Sequence, residues 1–181
     1  MINDQLLSQV VVIDIQDKLV DVMPKSDIEK VVDVSSMLIQ AAKILEVPCL
    51  YTEQYPKGLG TTVKKLQTLL PHSAIEKKVF SCLDESKFKS ALVKSRPQII
   101  LCGLETHICI LQTALALKEA GKAVFVVEDA TLSRSNLHHQ NAIARLRSEG
   151  IVITNIESVI FEWLRVAEGD HFKAIAKLIK A

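Results

Sequence analysis

The sequence predicts an α/β fold: a three-layer α/β/α sandwich built on a six-stranded parallel sheet. Three observations predict it. Six apolar runs alternate with amphipathic stretches along the 181 residues, the order expected of a parallel sheet with right-handed crossovers. The densest run, Val10–Ile15 (VVVIDI), shows no polar alternation before Asp14, as suits a strand buried on both faces. No internal repeat, low-complexity stretch or linker interrupts the pattern, so residues 1–181 read as one domain.

In chain order, Val10–Ile15 is the first strand. Asp27–Leu45 is a helix, because Ile28, Val31, Val32, Met37, Leu38, Ala41 and Leu45 fall near one stripe, with Ser26 or Asp27 as its cap. Pro48–Thr52 is a second strand, followed by the turn-rich loop EQYPKGLG and a short helix over residues 61–69. Ala74–Phe80 is a third strand, Glu85–Lys94 a helix and Gln98–Cys102 a fourth strand. A glycine turn at Gly103 then opens a helix that ends at Gly121, its C′ residue. Ala123–Glu128, Asn136–Glu149 and Ile151–Thr154 supply the fifth strand, a helix and the sixth strand. Two helical pieces near 157–167 and 171–180 close the chain.

Composition bounds the function. The chain is 49% apolar and 24% charged, with a formal net charge of +1. That balance argues against a nucleic-acid partner, which normally shows as a basic excess or stripe. No apolar run approaches the roughly 18 residues of a membrane helix. The N-terminal MINDQLLSQVVVIDIQD lacks a basic region and puts an acid directly after its short apolar run, which predicts no signal peptide and a cytoplasmic location. In a reducing compartment Cys49, Cys82, Cys102 and Cys109 are thiols. They form no C-x-x-C pair, and Cys102 with Cys109 does not fit a zinc knuckle. Three of them read as small buried hydrophobes.

In open, Rossmann-like sheets a ligand sits beyond the carboxyl ends of the strands. Three positions there can do chemistry. Cys109 falls in the first turn of the helix after the fourth strand, where the helix N-terminus lowers a thiol pKa and free N–H groups can receive an oxyanion; the plainer reading is a buried helix cysteine. Asp14 ends an apolar strand and needs a cation or donor if buried, or else holds a turn. Lys77 and Lys78 point to opposite sides of the third strand, so one of them can face Asp14, unless both lie on an exposed sheet edge. A thiol, a carboxylate to move its proton and a cation to stabilise its anion are the parts of a nucleophilic acyl-transfer site. His107 lies two residues from Cys109 and hence on a different helix face. His72, His138, His139 and His171 read as surface residues without metal-ligand spacing, so neither a metal nor a cofactor is expected.

At these positions the sequence resembles the isochorismatase-like cysteine hydrolases. VVIDIQDKL, EKKVFSC and GLETHICI look like that family's three motifs, in order, and the resemblance runs over nearly the whole chain. The subgroup it resembles is that of the isochorismatase-domain-containing hydrolases, whose loop is similar to TEQYPKGLG and whose tail is similar to HFKAIAKLIK. The resemblance implies a catalytic triad: Asp14 as general base and then acid, Lys77 as electrostatic support, and Cys109 as nucleophile. Lys77 is chosen over Lys78 because the family's lysine stands four residues before the serine of its Phe-Ser pair, here Phe80-Ser81. Also implied is a non-proline cis peptide between Leu104 and Glu105, aiming the Glu105 N–H, beside that of Cys109, at an oxyanion. The implied reaction is hydrolysis of a C–N bond in a small amide-type substrate through a thioester, although the family's namesake cleaves a vinyl ether without the cysteine. A homo-oligomer is implied as well.

One departure stands out. The nicotinamidase branch carries an aspartate and histidines after its second strand to hold a metal ion; this chain has Glu53, Gln54 and Tyr55 there, and no histidine until His72. Around the triad, Gln16, Leu19, Glu53, Tyr55, Phe80, Leu104 and Arg134 are the candidate substrate-binding residues. Glu53 anchors a pocket rim or sits in a polar loop; Arg134 serves a substrate carboxylate or a neighbouring loop; Leu19, Tyr55 and Phe80 line the pocket or simply pack. Two other functions stay open. One is a thiol-based redox protein using Cys109, with Cys102 a candidate neighbour in space; the other is a non-catalytic oligomeric scaffold of the same fold.

Overall fold

The computed structural model describes residues 1–70 and 73–180. Its strands are β1 (Ser8–Ile13), β2 (Cys49–Gln54), β3 (Ile75–Lys77), β4 (Gln98–Leu104), β5 (Ala123–Leu132) and β6 (Val152–Thr154). They form one sheet in the order β3-β2-β1-β4-β5-β6, with every pairing parallel. From β1 the chain builds outward to β3, then returns to the other side of β1 and builds outward to β6. The switch point therefore lies between β1 and β4, where such sheets bind ligands at their carboxyl ends.

Helices α1 (Asp17–Val20), α2 (Lys25–Ile44), α3 (Pro56–Leu59), α4 (Lys64–Gln67), α5 (Ser86–Ala91), α6 (Leu111–Glu119), α7 (Asn136–Ser148), α8 (Ile156–Leu164) and α9 (Gly169–Ile179) fill the connections and the C-terminus. Strand alternation divides the core into two. Val10, Val12, Ile100, Cys102, Phe125 and Val127 pack with residues of α2, α8 and α9 on one face. Val11, Ile13, Ile99, Leu101, Val124 and Val126 pack with residues of α5, α6 and α7 on the other. Three layers result, with each fully buried aliphatic side chain contributing about 1.5–3 kcal/mol. No helix among the described residues is long and apolar enough to cross a membrane.

Several boundaries differ from the sequence expectation, each for a local reason. β1 stops at Ile13 because Asp14 turns into the left-handed region at φ +52°. β2 runs on to Gln54, held extended by pairing of Thr52, Glu53 and Gln54 with Ile75, Glu76 and Lys77. β3 is only those three residues, shorter than the expected Ala74–Phe80. The cap of α2 is Pro24, with no side-chain hydrogen bond, not Ser26 or Asp27. The expected helix over 61–69 shrinks to α4, while α1 and α3 are turns that the apolar pattern does not mark. β4 continues through Gly103, whose φ of +123° only glycine adopts easily, and a Cβ there would lie 1.9 Å from the Ile13 carbonyl oxygen. That close approach brings the turn after β4 against the end of β1.

Candidate active site

Asp14 is fully buried at the switch point. Its left-handed backbone is one that aspartate tolerates better than bulkier residues, and it aims the carboxylate across the ends of β2 and β3. Thr52 Oγ1 donates to Asp14 Oδ1 at 2.7 Å. Lys77 Nζ donates to Asp14 Oδ2 at 2.6 Å, an ion pair with neither side chain exposed to solvent. A buried carboxylate without such partners would be strongly unfavourable.

The ammonium of Lys77 has three protons to place. Asp14 takes one and Gln54 Oε1 another, at 2.7 Å. Val79 O at 3.4 Å and Cys109 Sγ at 3.5 Å lie around the remainder. Burial disfavours the charge on Lys77, but the Asp14 carboxylate, together with the sulfurs of Cys82 and Cys109, outweighs it and holds the lysine above its ordinary pKa. Lys77 is the lysine that turns inward; Lys78 is exposed.

Cys109 sits in a π-helical turn, Thr106–Ile110, that leads directly into α6. The side chain is only 6% exposed. The expectation of a lowered thiol pKa is corrected here. Burial raises it, the Asp14 carboxylate raises it further, and Lys77 only partly opposes them. The peptide bond between Leu104 and Glu105 is cis. Among the described residues the Glu105 N–H donates to no protein acceptor, while its carbonyl accepts from the N–H groups of Ile108 and Ile110.

The flanking residues divide by what they touch. Tyr55 and Phe80 are about half exposed, at 49% and 53%. Tyr55, Lys57, Lys78, Val79 and Lys87 line a surface cavity of about 590 Å³ beside Lys77. Gln16 is completely buried, and its amide is spent on the loop: Nε2 donates to Gln54 O and Gly60 O, and Oε1 accepts from the Gln54 N–H. Glu53 does anchor the loop, its Oε1 accepting from both the N–H and the hydroxyl of Thr62. Leu104 lies in the core and Leu19 packs against it. Arg134 is exposed, with its backbone N–H bonded to Glu105 Oε2 at 3.0 Å and its Nε 3.9 Å from the same oxygen. The geometry thus joins Asp14, Lys77 and Cys109 and leaves Gln16, Leu19 and Leu104 as framework.

Sequence reading missed Thr52, Gln54 and Cys82. Thr52 and Gln54 are two apart on one strand and so share a face; ending the second strand at Thr52 hid that signal. Cys82 Sγ donates to Thr52 Oγ1 at 3.9 Å, and burial pushes its pKa up to about 11. Cys102 belongs to the core on the opposite sheet face from Cys109, so Cys82 is the sulfur adjoining the site. Cys49 is half-buried rather than fully enclosed. His139 is half-buried, its Nδ1 2.9 Å from Thr106 Oγ1, and His107 is 2.9 Å from Ser133 Oγ and tilted against His138. His72 lies outside the described residues. Among the described residues, no group of three or more His, Cys, Asp or Glu is placed to hold a metal ion.

The chain is similar in sequence and fold to known proteins. The family model described as the isochorismatase domain matches residues 8–158. The chain belongs to the isochorismatase family. Isochorismatase domain-containing protein 2 of Danio rerio is 41% identical over 152 residues, covering 82% of this chain and 76% of the relative. A solved structure of MAR1 ribonuclease from Caenorhabditis elegans superposes with a TM-score of 0.92 at 33% identity, covering 100% of this chain and 93% of that one. The YcaC gene product of Escherichia coli, described as an octameric hydrolase of unknown specificity, has the same fold, with a TM-score of 0.86 at 22% identity over 99% of this chain and 95% of its own. As an isochorismatase-like hydrolase, the chain carries the Asp14, Lys77 and Cys109 cluster at the switch point of the sheet.

Proposed function

We propose that this protein hydrolyses a C–N bond of a small amide-type substrate through a thioester on Cys109. The observation that carries the reading is the convergence of three chain-distant groups, with Lys77 Nζ 2.6 Å from Asp14 Oδ2 and 3.5 Å from Cys109 Sγ. Asp14 takes the proton from Cys109 Sγ as the sulfur attacks the carbonyl carbon. Lys77 stabilises the developing thiolate, which suits a thiol whose pKa is raised. The N–H groups of Glu105 and Cys109 receive the oxyanion of the tetrahedral intermediate. Asp14 returns the proton to the amine as the C–N bond breaks and the thioester forms. It then takes a proton from water, whose attack on the thioester releases the acid and restores the thiol. Tyr55 and Phe80 frame the entrance, and Arg134 offers a cation for a substrate carboxylate. No cofactor or metal enters this scheme. We further propose that residues 1–181 form one domain and that the protein is a cytoplasmic homo-oligomer, as an octameric neighbour suggests for the assembly; size-exclusion chromatography with light scattering checks the subunit number.

The test is a panel of small amides, carbamates and ureas, with an RNA substrate included because a relative is described as a ribonuclease. Products are followed by mass spectrometry for the wild type and Cys109→Ala. Turnover of an amide-type compound with an acyl adduct on Cys109, both lost in Cys109→Ala, supports the reading. Full amidase activity in Cys109→Ala, or cleavage of RNA alone, overturns it.

A further inference from the structure

We propose that Gln54 is a positioning residue for the nucleophile: as a neutral acceptor beside Lys77, it fixes the rotation of the ammonium and leaves the lysine's charge available to Cys109. The inference rests on the hydrolase reading only for its consequence in turnover. Gln54 Oε1 accepts from Lys77 Nζ at 2.7 Å, while Asp14 Oδ2 accepts at 2.6 Å on the same ammonium. With these two protons fixed, tetrahedral geometry leaves the third directed at the region shared by Cys109 Sγ and Val79 O.

Gln54 is itself held on three sides. Its Nε2 donates to Lys78 O at 3.0 Å, its N–H to Gln16 Oε1 at 2.7 Å, and its carbonyl accepts from Gln16 Nε2 at 3.0 Å. It also pairs with Lys77 across the β2–β3 register. The orientation of the amide follows from these contacts, because Nε2 is needed for Lys78 O and only Oε1 can accept from an ammonium. The buried Gln16 thus has a role: it fixes the backbone from which Gln54 reaches Lys77.

Neutrality at Gln54 matters as much as reach. Lys77 already faces one carboxylate, Asp14, and its own positive charge is what opposes the raising of the Cys109 thiol. The groups facing that thiol are Asp14 beyond β1, Lys77 on β3 and Cys82 in the turn Cys82–Asp84; Glu53 on β2 is committed to Thr62. A second carboxylate on Lys77 would give the cluster a net negative charge and raise the thiol further.

The experiment measures iodoacetamide alkylation of Cys109 against pH, read by peptide mass, on the full chain. Wild type is compared with Gln54→Glu, Gln54→Met and Gln54→Ala, with thermal midpoints by circular dichroism. It needs no known substrate, so it succeeds or fails independently of the hydrolase reading. The expected result is a rate at pH 8 about tenfold lower in Gln54→Glu, one pKa unit for the thiol. A smaller, two- to fivefold loss is expected in Gln54→Met and Gln54→Ala, with the rate of Cys102, on the opposite sheet face, unchanged. Rates within twofold of wild type in Gln54→Glu, or equal losses in all variants that track their thermal midpoints, overturn the proposal. Once a substrate is in hand, kcat should fall in Gln54→Glu with KM unchanged.

Discussion

The sheet buries polar side chains at both ends of its strands, with different outcomes. At the amino ends, Trp163 Nε1 donates to Ser8 Oγ at 3.0 Å, and Ser8 Oγ donates to Gln98 Oε1 at 3.2 Å. Gln98 Oε1 also accepts from the Asp4 N–H, and its Nε2 reaches Ile2 O. Gln9 closes both halves of its amide on the Val93 and Arg96 backbone. These groups are mutually satisfied. At the carboxyl ends the buried groups include a carboxylate, an ammonium and thiols, and the last ammonium proton has only acceptors at 3.4 and 3.5 Å. A saturated neutral network closes a structure, whereas a charged one with a poorly used donor retains interactions to offer a reacting group.

The largest test of this contrast is at the sulfur. Cys109→Ala should reduce hydrolysis by more than about 10³-fold, whereas Gln98→Ala at the opposite end should keep kcat within about twofold, both read by product formation. Asp14→Asn should separate reactivity from catalysis. Losing the general base should cost about 10²–10⁴-fold in turnover. Yet the carboxylate that raises the Cys109 thiol is gone while Lys77 remains, so alkylation of Cys109 at pH 8 should become faster. Parallel losses in both readouts would show that Asp14 holds the site together and does no proton transfer.

Stability gives the next contrast. Lys77→Met leaves Asp14 buried without its cation and should cost about 3–5 kcal/mol in urea denaturation, much of it recovered in the double variant Asp14→Leu/Lys77→Met, which stays inactive. Gln98→Ala should cost about 1–3 kcal/mol, the penalty of unpaired buried groups. The smallest effect is in pH dependence. Burial lowers the pKa of His107 and His139, so the folded chain binds their protons less well than the unfolded chain does. Their contribution is present above the unfolded histidine value of about 6.5 and is lost as pH falls below it. Thermal midpoints should therefore drop between pH 7 and 5, and less steeply in His139→Asn.

Much of the site was legible because its residues interrupt strong patterns. Asp14 breaks an apolar strand, and Cys109 follows a glycine turn at a helix start. What escaped depended on element boundaries. Gln54 looked like loop until the pairing with β3 extended its strand, and His139 looked like surface until its bond to Thr106 was visible. Cys102, close to Cys109 in sequence, lies on the other sheet face, while Cys82 adjoins the site through contacts that no spacing reveals.

By itself, the sequence determined the strand and helix order and the parallel sheet, because hydrophobic period and density are local properties of the chain. It also determined which residue types stand at the strand ends. Only the tertiary structure decided which way the pKa of the thiol is pushed. That property arises from burial and from the balance of Asp14 against Lys77, groups contributed by different strands. Long-range electrostatics in a dry site are set by distances that the chain acquires only on folding.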